Sequence, residues 1–295
     1  MNFLAEGLRR VWRRQRILWW LFVINLALAH LAILPINLRW GQVLDQSLAA
    51  EQLSRGFNVG RYIELTMRPE VGLGIGYLSM LGSSLIFFVF VLFVTGGILE
   101  AYRSGQKLTT AEFFQAGGGF FWRLVRLLLT FLVVLVPIAF LGHVVEHWSR
   151  RLGDQSASDM AGFWIALGGG IIVLFLALVA RLWFDMAQVH AVATGERAMR
   201  RAVANAYRLT FGNFGVLFLL YVVPTIVAWI GLLVVFWVWA KWVPATAVGV
   251  SFVVLQLGVL LWIGTRLWQR AAETAWYQST QVVIPQESAP EIVAR

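Results

Sequence analysis

Six long stretches of the chain are predominantly apolar and free of Asp, Glu, Lys and Arg: Ile17–Leu38, Val71–Leu99, Leu127–Val145, Phe163–Ala180, Phe214–Ala240 and Ala245–Thr265. Each is close to the ~20 residues a helix needs to cross ~30 Å of hydrocarbon, and a helix satisfies its own backbone polar groups there. Strands of a membrane barrel would alternate apolar and polar positions, which runs such as Leu85–Val94 and Ile171–Val179 do not. The pattern predicts an all-α integral membrane protein with six transmembrane helices. It forms a single domain over residues 1–280, followed by a flexible cytoplasmic tail over 281–295.

Between the spans a second periodicity recurs. Leu4, Leu8, Val11 and Trp12 fall at helical spacing among Arg9, Arg10, Arg13 and Arg14; Met199, Ala202, Val203 and Ala206 do the same beside Arg197, Arg200, Arg201 and Arg208. A third segment, Thr110–Arg123, opens after Thr109 with the spacing of a capping box to Glu112 and is then interrupted by Gly117–Gly119. Each of these arginine-bearing segments precedes an odd-numbered span, and those spans contain Pro35, Pro137 and Pro224. The layout predicts three pseudo-repeated hairpins braced by cytoplasmic interfacial amphipathic helices. Small residues at one-turn spacing, Gly72 and Gly76, Ala166 and Gly170, Ala245 and Gly249, together with Gly82, are expected to let helices approach closely. The loop Trp40–Glu70, with a possible helix over Asp45–Leu53, is expected to cap the outer side.

Charge fixes the orientation. Seventeen of the 24 Lys and Arg fall in the N-terminal segment, the second and fourth connections and the tail, whereas the other side carries seven basic and seven acidic residues. The whole formal charge of +9 therefore lies on one face, and the retention of Lys and Arg in the cytoplasm puts both termini there. With 59% hydrophobic and 13% charged residues and a mean hydropathy of +0.73, a cytosolic enzyme or nucleic-acid-binding domain is excluded. The basic residues flank spans and meet anionic headgroups at ~1 kcal/mol each, so no polyanionic nucleic-acid ligand is called for. Many of the fifteen Trp fall at span ends, where amphipathic rings belong. The absence of Cys excludes disulfides, thiolate metal sites and cysteine nucleophiles. The start resembles a signal peptide up to Ala29, but the apolar run continues to Ile36, and the segment is read as uncleaved.

Few residues carry candidate chemistry. His143, Glu146 and His147 match H-x-x-E-H, in which two imidazoles one turn apart hold zinc beside a carboxylate base. That chemistry needs a third ligand, for which Asp154 and Asp159 are the neighbours; otherwise the three are polar residues at a helix end. Asn25 and His30 are the notable polar groups inside the first span. No acidic or basic residue lies centrally in any span, so an ion-coupled carrier is not expected, and with no Walker A motif an ATP-driven permease would need a separate ATPase. No cofactor is called for.

In the segments Phe3–Leu26, Gln46–Leu65, Ala111–Leu129 and Phe184–Phe214, with Phe184-Asp185 and Asn213-Phe214 bounding the fourth connection, the chain resembles uncharacterised bacterial six-helix membrane proteins. These include proteins similar to the membrane domain of glycerophosphodiester phosphodiesterases. The resemblance implies a fold and a bacterial inner-membrane location, and no reaction. The expected function is that of a non-enzymatic scaffold or accessory subunit, its partners being the lipid bilayer and a membrane protein or a second copy of the chain. The alternatives are a transport component driven by a separate ATPase, docked at Arg103–Glu112 or Asp185–Arg201, and a metal-dependent enzyme at His143, Glu146 and His147.

Overall fold

A computed structural model describes residues 2–44, 60, 63, 67, 73–106, 108–155, 160–244 and 246–283. Among them are eight helices and no strand: α1 (Asn2–Arg13), α2 (Gln15–Leu44), α3 (Leu73–Ser104), α4 (Thr110–Gln155), α5 (Met160–Thr194), α6 (Met199–Gly212), α7 (Phe214–Trp242) and α8 (Val248–Val283). All but α1 and α6 are long and apolar enough to cross a membrane. The expected helix over Asp45–Leu53, Gly72 and Asp159 lie outside the described residues.

Local chemistry sets the helix ends. At Arg14 the chain tightens between α1 and α2, with Arg14 N–H donating to the Val11 carbonyl and Ile17 N–H to that of Arg14. Helix α3 stops at Gly105, whose φ of +70° a residue with a side chain rarely adopts. The capping box then forms: Thr109 N–H donates to Glu112 Oε2 at 2.7 Å, and Glu112 N–H to Thr109 Oγ1 at 3.3 Å. Gly195, at φ +64°, turns the chain from α5 into α6. Pro35, Pro137 and Pro224 lie inside α2, α4 and α7, which continue through them.

Helix α4 corrects one expectation. Its amphipathic start and the third span are one continuous helix of 46 residues, and Gly117–Gly119 does not interrupt it. Gly117 serves close packing instead, while Gly119 has open space beside it. A Cβ added at Gly96 of α3 would lie 2.9 Å from Phe120 Cβ and 3.4 Å from Gly117 Cα, and one at Gly97 would lie 2.6 Å from the Phe113 carbonyl oxygen.

The chain forms two compact units. The first comprises Thr95–Tyr221 with the chain from Ala272 and the first residues of α1; the second comprises Leu4–Val94 and Val222–Ala271. In the first unit α4 and α5 make a long antiparallel hairpin. Phe131 stacks on Phe184 at 4.4 Å, Ser149 Oγ donates to the Gly162 carbonyl at 2.8 Å, and Arg123 Nη1 donates to the Gly195 carbonyl at 2.9 Å. Helix α6 packs back on α5 and α4 through buried Met199, Ala202 and Ala206. Burial is concentrated toward one end: on α5 the residues from Ala180 to Val192 are mostly buried, whereas Ile171, Ile172, Leu174 and Phe175 are exposed. Such exposed aliphatic faces belong against lipid chains.

In the second unit α7 and α8 pair through Trp229 and Trp262, edge to face at 6.1 Å, and through Gly231 against Leu261 and Gly258 against Leu232. Trp268 Nε1 donates to the Leu4 carbonyl at 2.7 Å and so fastens α1. The apolar stripe expected on α1 divides, Val11 being buried while Leu8 and Trp12 are 50% and 74% exposed beside Arg9 and Arg13.

Of the small-residue motifs, Gly72 and Ala245 lie outside the described residues, and the collisions found are at other glycines. A Cβ at Gly82, Gly170 or Gly249 would meet nothing within 4 Å, whereas at Gly97, Gly162 and Gly169 it would collide. Gly97→Ala and Gly162→Ala are expected to lower stability by about 1–3 kcal/mol, because backbone oxygens cannot give way, and Gly170→Ala to leave it unchanged or slightly raised. Denaturant titration in mixed micelles measures the contrast.

Candidate functional site

The continuation of α5 past its apolar run builds a polar core in the first unit. Arg181, Asp185 and Gln188 recur at i, i+4 and i+7 and so share a face, and α8 brings Glu273, Thr274 and Tyr277. Asp185, Gln188, Glu273 and Thr274 are all buried. Arg181 Nε donates to Asp185 Oδ2 at 3.3 Å, and its guanidinium lies within electrostatic reach of Tyr221 and Glu273. The pair is unequal in exposure: the Arg181 side chain is 45% exposed and that of Asp185 only 3%.

One helical turn beyond the pair stands His190. Its Nδ1 is 2.8 Å from the Tyr277 hydroxyl of α8, the two rings meeting edge to face. Its Nε2 is 3.7 Å from Glu196 Oε2 and 3.5 Å from Asn205 Nδ2 on α6. Thr194 Oγ1 donates to the His190 carbonyl at 2.8 Å, closing the end of α5. Gln278 Nε2 donates to the Arg103 carbonyl at 2.8 Å, tying α8 to the end of α3. A histidine between a phenol and a carboxylate can pass a proton between them, and here it also ties together α5, α6 and α8. Which ring nitrogen carries the proton follows from the tautomer.

Tyr277→Phe tests that tie. Loss of the hydroxyl strips a buried His190 nitrogen of its bond and is expected to cost about 1–2 kcal/mol in thermal or denaturant unfolding. Asn205→Ala, at an exposed position, is expected to stay within about 0.5 kcal/mol.

The residues singled out from the sequence are scattered. His143, Glu146 and His147 are exposed on α4. The two imidazoles lie nearly parallel at 6.5 Å, and Glu146 pairs with Arg150. Among the described residues no three His, Asp or Glu side chains are grouped as a metal site requires. On α2, Asn25 is half-buried and His30 exposed. Arg9 and Arg13 are exposed on α1 while Arg10, paired with Glu6 at 3.0 Å, and Arg14 are half-buried; Arg197, Arg200, Arg201 and Arg208 are all exposed on or beside α6. Of the expected docking segment Asp185–Arg201, Asp185–Val192 and Met199 are buried, while the turn after α5 and Arg200 and Arg201 of α6 face outward.

Asp185, His190, Glu273 and Tyr277 went unremarked as a site in the sequence. The helical spacing of Arg181, Asp185 and Gln188 was the available signal for the continuation of α5. The chain matches no protein-family model, no curated protein and no solved structure.

Proposed function

We propose that this is a non-enzymatic integral membrane protein, a scaffold or accessory subunit of a membrane complex in a bacterial inner membrane. In this reading the six spans are three pseudo-repeated hairpins, both termini face the cytoplasm, and the fold is related to that of six-helix proteins similar to the membrane domain of glycerophosphodiester phosphodiesterases. The observation that carries it is the presentation of α6. Its buried face of Met199, Ala202, Ala206 and Thr210 is locked onto the polar core, so Arg200, Arg201 and Arg208, with Arg197 just before the helix, project outward together. A rigid arginine surface beside lipid-exposed helices suits anionic headgroups or an acidic partner surface. On α1, exposed Leu8 and Trp12 between Arg9 and Arg13 have the make-up of an interfacial helix.

The test is native mass spectrometry of protein extracted in mild detergent. A stoichiometric partner is expected, and the triple change Arg200→Glu, Arg201→Glu, Arg208→Glu is expected to reduce its recovery at least about tenfold through like-charge repulsion. A clean monomer, or a partner indifferent to the triple change, would count against the reading. Orientation is checked separately. As the chain has no Cys, single cysteines at exposed Arg151 and Arg200 can be labelled cleanly, and an impermeant maleimide on intact spheroplasts is expected to reach only the first.

One observation favours a second reading, a transport component: the carboxyl groups of Asp185 and Glu273 are buried on helices long enough to span. Vesicle flux that Asp185→Asn abolishes would favour it over a scaffold.

A further inference from the structure

Helix α2 has two unlike sides. One faces α8, where Leu18 Cδ1 lies 3.9 Å from the place of a Cβ on Gly264, and half-buried Asn25 and Ala32 follow Leu18 on that side at i+7 and i+14. Across the helix, Val23, Ala27, His30, Leu34, Asn37 and Gly41 recur at i, i+4, i+7, i+11, i+14 and i+18. The first five of these are exposed, and a Cβ at Gly41 would meet nothing within 4 Å. The other five spans each bury part of their most apolar stretch, whereas α2 buries none of its own. Among the described residues neither the His30 nor the Asn37 side chain has a hydrogen-bond partner. The midpoint of the span Gln15–Gln42 falls just before Ala29, so His30 lies about 2 Å of helix rise from it and Asn37 about 13 Å. Lipid chains offer an imidazole or a carboxamide neither donor nor acceptor, and the aliphatic face of α5 at Ile171 and Leu174 needs none.

We propose that this stripe of α2 packs against the same stripe of a second copy of the chain, in a parallel two-fold dimer within the membrane. Its spacing alternates four and three residues, the seam of a left-handed crossing near +20°. Copies of one chain enter the bilayer with one topology, so a two-fold axis along the membrane normal sets each residue beside its own counterpart at the same depth. Both polar groups are self-complementary. A neutral imidazole has one N–H and one bare ring nitrogen, and a carboxamide has an NH2 and a carbonyl, so His30 pairs with the second copy's imidazole and Asn37 with its carboxamide. A different protein would have to bring matching polar groups at both depths, which a second copy does by symmetry. Ala27 and Gly41 let the backbones come close. The proposal rests on the membrane reading and is independent of which side the termini face.

Because the chain has no Cys, single cysteines report the contact face. Full-length protein in its membrane, oxidised with copper phenanthroline, is expected to give a disulfide-linked homodimer from Ala27→Cys. Ala32→Cys, at a similar depth on the side facing α8, is expected to give at least about tenfold less, since a disulfide needs Cα atoms within about 7 Å. In detergent, sedimentation equilibrium of the unaltered protein is expected to show a dimer whose dissociation constant rises about tenfold in His30→Leu, the factor that one interhelical hydrogen bond carries. Leucine at this exposed position suits lipid, and circular dichroism is expected to show unchanged helicity. Equal cross-linking at the two positions, cross-linking of Ala27→Cys to a different protein, a dimer indifferent to His30→Leu, or a monomer in both media would each overturn the proposal. A monomer whose heterologous partner is still lost with the triple change at Arg200, Arg201 and Arg208 would leave the accessory-subunit reading standing. A dimer untouched by that change and without a further partner would leave only the dimer.

Discussion

Leu182→Ala is expected to lower the unfolding free energy by about 2–5 kcal/mol, while the same change at Leu174 moves it by less than about 0.5 kcal/mol. The two leucines are a little over two turns apart on α5, and only their surroundings differ. Leu182 is fully buried, so truncation removes its dispersion contacts and leaves a void that close-packed surroundings cannot fill. Leu174 is 69% exposed on the apolar run, where a lipid chain takes up the space that the shorter side chain leaves. Denaturant unfolding in mixed micelles, with helicity followed by circular dichroism, measures both. Equal losses at the two positions would mean that α5 is packed evenly along its length.

Arg181→Ala is expected to cost more than Asp185→Ala, about 3–5 against about 1–3 kcal/mol, although both break the same ion pair. The asymmetry follows from exposure. An Arg181 deprived of Asp185 can swing its half-exposed guanidinium into water, whereas Asp185, only 3% exposed, cannot turn to water when Arg181 is lost, and the buried Glu273 loses the same nearby cation. The double change Arg181→Leu with Asp185→Leu is expected to cost less than Arg181→Ala alone, since it removes the charge along with its counter-ion. The reverse ranking in the same unfolding assay would place the stabilisation in the arginine's packing rather than in its charge.

The spans were legible because hydrocarbon leaves the backbone one solution at those lengths, and a run such as Phe214–Ala240 admits no other reading. The capping box at Thr109 and Glu112 was legible for a similar reason, as it is satisfied within four residues. The true extent of α4 and α5 was not. Gly117–Gly119 reads as a break in a local window, and only the approach of Gly96 from α3 gives Gly117 a reason inside a continuous helix. Past Ala180 the apolar run gives way to charged and polar residues. A window judged by hydropathy ends the element there, although the spacing of Arg181, Asp185 and Gln188 carries the helix on. The contact of His190 with Tyr277 joins positions 87 residues apart, and no local pattern encodes it. Gly82, Gly170 and Gly249 have open space beside them for the same reason: spacing says that a helix face is thin, and only the neighbour decides whether anything comes close.

The α4–α5 hairpin is fastened at two heights, by Arg123 to the Gly195 carbonyl and by Ser149 to that of Gly162. At 1.5 Å per residue these points are roughly 39 Å apart along α4, and the whole helix is about 69 Å long, more than twice the ~30 Å of a hydrocarbon core. Two clamps set farther apart than the hydrocarbon is thick leave the hairpin no free end inside a bilayer centred between them. A change in membrane thickness is then met by sliding the water boundary along a helix that is already formed, exposing or covering a turn at either end, rather than by tilt.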